Sequence, residues 1–505
     1  MTKSIAKRQE IYHKRKHFFL ALVLFLIALF LRVYRISYLT DFLGDQGRTL
    51  LVIYESFVTK SIPLVGPPVL TGQHLGPFFY YFIGIPLILF NFNPLAVAIF
   101  MSCIGAFSVL LVLYLGIKLF DFWTGFFMAL LYAVSPVLIT QSRQIWEPTP
   151  IPFFVLLFII SLFHIYEKRN FSYFLLTGLT LGILIQLHYP NIFLFFPTAL
   201  VFFTTLFKRR KNESLRQIMG WTVGSIGVFF LMLSPFFLYE SRTGFSDVRE
   251  VIYASLFPVA MVNNTPLFYT LFDFSSRIFR NLYPFGYIWT SIPFAVVIIL
   301  APFYKKNFWH TFFVVWFILG IASISLYKGV VFNHYLSFLV PIPFLLLGSF
   351  THTATNVYFR KIVFIFLLVV VFISVSKTDI FFDGQHDLTR VERLTDRMIK
   401  LSENKPFSFT LITSNSFSDL HYRYFFAIKK HVPKEIVRTD YNKLFIICEK
   451  QPCPTKLEIT DVNTVSVLCY DEHCRGQYPI IDLRFWKLHT IEYGYNSAIY
   501  AYDRL

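Results

Sequence analysis

Long apolar runs, separated by short polar stretches rich in lysine and arginine, set the rhythm of the first three quarters of the chain. A run of about 20 apolar residues, coiled at 1.5 Å per residue, crosses the hydrocarbon core of a bilayer. The runs predict membrane helices near 17–36, 94–118, 121–140, 150–166, 171–188, 190–207, 218–239, 284–303, 308–327, 334–352 and 361–376, about eleven spans. The block 75–90 is shorter and is interrupted by Pro77, Gly84 and Pro86. It reads as a re-entrant or interfacial segment, which other helices must shield because its backbone cannot face lipid unpaired.

The charges between the runs favour that reading. With 75–90 dipping in and returning, Lys118, Lys168 and Arg169, the cluster 208–211, Lys305 and Lys306, and Arg360 and Lys361 all fall on the side of Lys14, Arg15 and Lys16. Basic loops stay in the cytoplasm, so the loops after the first span and near 141–149, 188–190, 240–283 and 328–334 face outside. The loop 240–283 is long enough to carry helical pieces.

Beyond about residue 376 the pattern changes. Alternating runs at 407–413, 444–448 and 464–468 predict strands, and Asp387–Ser402 predicts a helix. The expected architecture is therefore an α-helical polytopic membrane protein, residues 1–376, followed by a small α/β domain, 377–505, placed outside the cell by the odd number of spans. Four of the five cysteines, Cys448, Cys453, Cys469 and Cys474, lie in that domain. Their spacing admits two disulfides, for example Cys448 with Cys453 and Cys469 with Cys474, and fits a zinc knuckle poorly. Cys103 reads as membrane packing.

Composition agrees. Of 505 residues 55% are hydrophobic and 15% charged, and Phe alone supplies 63; a soluble domain needs a larger polar shell. The formal net charge of +17 sits in loop clusters rather than along one folded face, which argues against nucleic acid as a partner. The basic N-terminus before a long apolar run, with no small-residue cleavage site, reads as an uncleaved first span. Arg32 and Arg35, at its end, are expected to snorkel to the interface.

Charge at the edge of a membrane protein is costly and often functional. The acids that this topology places outside are Asp41, Asp45, Glu55, Glu147, Glu240, Asp247, Glu250 and Asp273. The first loop reads as a turn leading into an amphipathic surface helix, with Asp45 near its start and Arg48 one turn on. Asp45 is either a helix cap or a reactive carboxylate. Asp121, on the cytoplasmic side, reads as a cap. No Walker-type loop, dinucleotide loop or metalloprotease motif is present.

Four stretches carry a resemblance: Asp45-Gln46 after the first span; His74-Leu75-Gly76-Pro77-Phe78-Phe79-Tyr80-Tyr81; Ser142-Arg143-Gln144-Ile145-Trp146-Glu147-Pro148; and His334-Tyr335 followed by Pro341 and Pro343. In this order the set resembles glycosyltransferase family 39 of the GT-C superfamily, which includes protein O-mannosyltransferases and aminoarabinose transferases. The resemblance covers about 17–376. It implies that Asp45 matches an essential aspartate, whereas Gln46 stands where that family has Glu. It also implies that 75–81 replaces a Lys-Pro-Pro-Leu-Tyr-Tyr stretch, with Gly76 for a proline and His74 as the nearby polar group. Ser142-Arg143 is kept, Glu147 takes the place of a downstream Asp, and His334-Tyr335 that of Arg-Tyr.

The resemblance implies sugar transfer from a polyprenyl-phosphate donor to an acceptor hydroxyl at the extracytoplasmic face, with inversion. The leaving phosphate is already an anion, so the enzyme needs one base and several cations rather than a glycosidase's two carboxyls. Asp45 is the expected base. Arg143, with Arg48, His188, Lys328 or His334, is expected to bind phosphate, and His74, Tyr81, Glu147 and Tyr335 to line the substrate site. The expected acceptor is a protein, lipid or glycan, and the location is the plasma or inner membrane, in contact with its lipids. No metal site is visible in the sequence, although some GT-C members use a divalent cation. The alternative is a transporter or flippase for lipid-linked sugars; such a protein would carry polar residues at the midplane and repeated broken helices, whereas here they gather at the outer edge.

Overall fold

The computed structural model describes residues 2–505 except 70–71, 209–213, 257–264, 283, 285–307, 328, 354–356, 385–386, 413–415, 417, 437, 439, 450–451 and 454–482. The chain forms two compact units, one of residues 1–34, 64–82 and 99–382, the other of residues 35–63, 83–98 and 383–505.

Among the described residues six helices are long and apolar enough to cross a membrane: Arg15–Val33, Pro94–Leu119, Tyr189–Phe207, Leu215–Arg242, Phe308–Ser325 and Tyr358–Ser376. Two helix pairs are jointly long and apolar enough but bent, as broken spans or re-entrant loops are, by 62° between Phe122–Val134 and Pro136–Ser142 and by 41° between Asn333–Leu339 and Ile342–His352. Ile151–Tyr166 and Tyr173–Leu187 are shorter apolar helices, as is Phe78–Leu89 within the interrupted block. The expected span 284–303 lies almost wholly outside the described residues. The first unit is the membrane bundle. Gly178 and Gly182, one turn apart, bring the Tyr173–Leu187 helix against the Leu215–Arg242 helix: a Cβ on Gly178 would collide with the backbone of Ser225. Small residues at this spacing let membrane helices approach closely.

Arg32 corrects the sequence reading. It is fully buried, not snorkelled. Pro136 has no N–H to give the carbonyl of Tyr132, so the bend between Phe122–Val134 and Pro136–Ser142 strands backbone acceptors. Arg32 supplies them: Nη1 donates to Ala133 O at 2.9 Å and Ala28 O at 3.0 Å, and Nη2 to Tyr132 O at 3.4 Å. Asp121 does cap its span, accepting from Thr124 N at 3.0 Å, and it also pairs with Arg360. The loop 240–283 carries helices Ser246–Leu256 and Leu267–Phe279.

In the second unit four strands, β1 (Phe407–Ile412), β2 (Lys443–Cys448), β3 (Trp486–Gly494) and β4 (Ser497–Arg504), form a sheet in the order β1-β2-β4-β3. β1 and β2 are parallel and joined through the Leu420–Ile428 helix; the other pairs are antiparallel. The β1–helix–β2 connection is the crossover that parallel neighbours require. One face of the sheet buries Leu444, Ile446, Cys448, Ala498, Tyr500 and Tyr502. On the other face Phe407 and Phe409 pack on Phe426 of the crossover helix, with ring centroids 5.2 Å apart. The helix Asp387–Ser402 forms as expected. Cys448 and Cys453 are disulfide-bonded; Cys469, Cys474 and the expected strand 464–468 lie outside the described residues. Arg35 pairs with Asp383 at 3.4 Å.

Candidate active site

The first loop condenses into the helix Gly44–Thr59. Leu43, in extended conformation, is its cap residue, and its N–H donates to the Gln46 side-chain oxygen at 2.9 Å. Gln46 therefore secures the helix start, a task its amide performs without charge. Asp45 sits in the first turn, where a carboxylate suits the helix dipole. Its side chain is 62% exposed and meets Arg48 at 3.2 Å.

The elements around this helix hold it in place. Gly44 N donates to Ser416 Oγ at 2.9 Å. Gly47 lies so close to the Leu420–Ile428 helix that a Cβ would fall within 3.0 Å of the backbone of Leu420 and His421. Phe42, fully buried, meets Phe425 edge-on at 5.4 Å. Beneath the contact lies a buried set of charges: Arg390 reaches Asp387 at 2.8 Å and Glu449 at 3.5 Å, while His421 Nε2 lies 3.3 Å from Glu449 and the Tyr422 hydroxyl donates to it at 2.9 Å. Burial pushes the Asp387 carboxyl up to about 6, against the pull of Arg390 and with help from Asp41 and Glu449. Burial, and then the charge of Glu449, push the Tyr422 hydroxyl well above its ordinary range.

In the first unit the structure gathers the other expected residues into three groups. His188, His334 and Tyr335 form an aromatic cluster with Trp146: ring centroids are 5.0 Å apart for His188 and His334, 4.7 Å for His188 and Tyr335, and 4.5 Å for Trp146 and His334. The bend before Pro190 and the 3-10 turn Asn333–Leu339 bring these rings together, and His188 Nδ1 is buried without a hydrogen-bond partner among the described residues. His74 forms a second group with Asp247, its Nδ1 2.9 Å from Asp247 Oδ2.

Arg143 forms the third group. It ends the short helix Pro136–Ser142 and is fully buried, ion-paired with Asp379. Thr140 Oγ1 donates to the same carboxylate oxygen at 2.7 Å. Among the described residues Arg143 Nε and Nη1 have no acceptor, so the guanidinium retains donors of the kind phosphate oxygens accept. Glu147 is buried and Tyr81 half-buried. Lys328 lies outside the described residues. Asp45 and Arg48 belong to the second unit and the remaining described candidates to the first. Among the described residues no three His, Cys, Asp or Glu side chains gather as a metal ion would require.

Asp379 has no role in the sequence reading, and no local pattern marks it: its partner lies 236 residues away. Asp247 stood among the outer acids, but its pairing with His74 joins positions 173 residues apart.

Residues 74–239 match the family model described as dolichyl-phosphate-mannose-protein mannosyltransferase. The fold is that of ArnT from Cupriavidus metallidurans, solved bound to undecaprenyl phosphate: the TM-score is 0.59 at 10% identity over 95% of this chain and 97% of that one. The apo form of the same protein gives 0.60 at 10% identity, with the same coverage. The archaeal oligosaccharyltransferase AglB from Archaeoglobus fulgidus, solved with an inhibitory peptide and a dolichol-phosphate, gives 0.47 at 14% identity over 86% and 70%, a likeness too loose to argue from. No curated protein matches the sequence. Residues 74–239 thus carry the sequence pattern of that mannosyltransferase family model, the fold is shared with ArnT, and the apolar helices are those of a multi-pass membrane protein.

Proposed function

We propose that the chain is a glycosyltransferase that moves a sugar from a polyprenyl-phosphate carrier to an acceptor hydroxyl at the extracytoplasmic face, inverting the anomeric carbon. The observation that carries the reading is the family match across 74–239, which spans His74, Tyr81, Arg143, Glu147 and His188. Asp45 is the general base: it takes the acceptor's proton as the new C–O bond forms and the bond to the carrier phosphate breaks. Its exposure supports the role, since a base must reach its acceptor, and its first-turn position on an anchored helix supports the fixed geometry a base needs. The departing phosphate collects negative charge, which Arg143, Arg48, His188, Lys328 and His334 would stabilise. In support, Arg143 has donors with no partner among the described residues, in a buried setting where such contacts are strongest. Residues 1–376 form the catalytic membrane domain and 377–505 an extracytoplasmic domain; the acceptor is a protein, lipid or glycan.

The test is direct. Membranes containing the full chain are incubated with a panel of radiolabelled polyprenyl-phosphate sugars. Label should pass from one member to a non-carrier product; label that only crosses the bilayer while still on its carrier would instead establish the flippase reading.

A further inference from the structure

The Leu215–Arg242 helix ends in a tight reversal, where Gly244 and Phe245 take φ of 67° and 60°. Phe245 N closes the turn on Glu240 O at 2.7 Å. The chain then enters the helix Ser246–Leu256. Glu240 is fully buried, and its Oε2 accepts from Val248 N at 3.2 Å, satisfying an N–H that the new helix leaves unpaired. Asp247, one residue earlier, is thereby fixed in the first turn and is itself buried.

Asp247 Oδ2 meets His74 twice, at Nδ1 (2.9 Å) and at the backbone N (3.0 Å). His74 is held from its other side as well. It sits on a short antiparallel ladder in which Leu75 N donates to Pro67 O at 3.0 Å and Gly66 N to Leu75 O at 2.7 Å. The Tyr189 hydroxyl donates to the His74 carbonyl, and Tyr239 meets the imidazole edge-on at 6.0 Å. The ring thus has its backbone, its Nδ1 and one edge engaged. Its Nε2 has no hydrogen-bond partner among the described residues, and the side chain is 31% exposed. A carboxylate on one imidazole nitrogen fixes the ring's orientation and dictates what the other nitrogen presents.

We propose that Asp247 is a positioning residue that holds His74 so that Nε2–H donates to the phosphate of the lipid carrier. The proposal rests on the polyprenyl-phosphate reading above. With the Nδ1 proton directed to Asp247, Nε2 is the nitrogen left to meet the anion, and it donates to phosphate when the ring carries both protons. Glu240 and the Gly244–Phe245 reversal serve the same end by fixing where Asp247 stands.

The test measures binding of undecaprenyl phosphate to the purified full-length chain in detergent. His74→Ala and Asp247→Asn should each weaken binding by roughly tenfold, the worth of one charge-assisted hydrogen bond. The double variant should bind no more weakly than either single one, and Asp247→Glu should recover part of the loss. In a His74→Lys background, whose ammonium needs no ring orientation, Asp247→Asn should cost less than about twofold. Losses that multiply in the double variant, or losses from Asp247→Asn that are equal in the wild-type and His74→Lys backgrounds, would reduce Asp247 to a structural residue and overturn the proposal. So would wild-type binding in Asp247→Asn where His74→Ala is weakened. A wild-type chain that does not bind undecaprenyl phosphate would overturn the donor reading itself. Melting temperatures of all variants separate folding loss from lost contact.

Discussion

Gly47→Ala sets two physical effects against each other. Gly47 lies in the first turns of the Gly44–Thr59 helix, where alanine raises intrinsic helix stability by up to ~1 kcal/mol. Propensity alone therefore predicts a more stable protein. The packing predicts the reverse. An added Cβ would lie well inside 3.0 Å of backbone atoms of Leu420 and His421, and backbone cannot swing aside as a flexible side chain can. Ordinary contact requires the two helices to part by roughly 1 Å, and overpacking of this sort costs about 1–3 kcal/mol. The clash should win, leaving the variant about 1–2 kcal/mol less stable. The displacement falls two residues from Asp45. A base misplaced by about 1 Å loses on the order of 100-fold in rate, with donor affinity nearly intact because the carboxylate acts on the acceptor. The assay is a thermal melt of the full chain with steady-state transfer kinetics, run beside Gly220→Ala, whose Cβ would meet nothing within 4 Å. A Gly47→Ala variant that melts at or above wild type and transfers at full rate would refute the packing argument and the placement of Asp45 that depends on it.

Asp387→Asn should change stability in a pH-dependent way. Burial raises the folded-state value from 3.8 to about 6, so the ionised carboxylate is a burden that appears as pH rises through that window and is absent below it. The melting difference between variant and wild type should move in the variant's favour between pH 4 and pH 7, by up to ~3 kcal/mol; a difference constant with pH would show that the carboxyl is not strained by burial. Replacing Cys448 and Cys453 together by serine opens a short loop and should cost about 2 kcal/mol on a loop-entropy basis, read as a lower melting temperature that reductant shifts less than it shifts the wild type. Arg32→Met keeps most of the side-chain volume but strands the carbonyls of Tyr132 and Ala133. It should cost about 1–3 kcal/mol for each acceptor left unmet, whereas an arginine that merely snorkelled would be replaced at little cost.

Local pattern made much of the fold legible. The apolar runs mark the spans because a helix at membrane depth must satisfy its own backbone. Gly44 to Arg48 and the apolar positions Leu50 and Ile53 announce the surface helix, and both of these apolar side chains are buried. Asp121 reads as a cap because its partner, Thr124, is three residues away. What stayed hidden depends on contacts distant in sequence. Arg32 looks like a snorkelling residue on an isolated span; only the bend at Pro136, about a hundred residues on, gives it buried acceptors. Gln46 is the exception: it looks like a lost acid, yet its amide is at work only three residues away, accepting from Leu43 N. Asp379 and Asp247 could be named as acids but not assigned, since nothing in a single sequence ties Asp379 to Arg143 or Asp247 to His74. Gly47 likewise gives no hint that it is required by the backbone of His421.

The exposed carboxylate of Asp45, at the start of the first-loop helix, is proposed to accept the proton of the acceptor hydroxyl. Asp45→Asn keeps the size and most of the hydrogen bonding of that side chain and removes only its basicity. The measurement is label transfer from the active polyprenyl-phosphate sugar, with binding of undecaprenyl phosphate recorded on the same preparation. Transfer should fall by at least ~100-fold with binding and melting temperature unchanged. Transfer at the wild-type rate by the Asp45→Asn chain would contradict it.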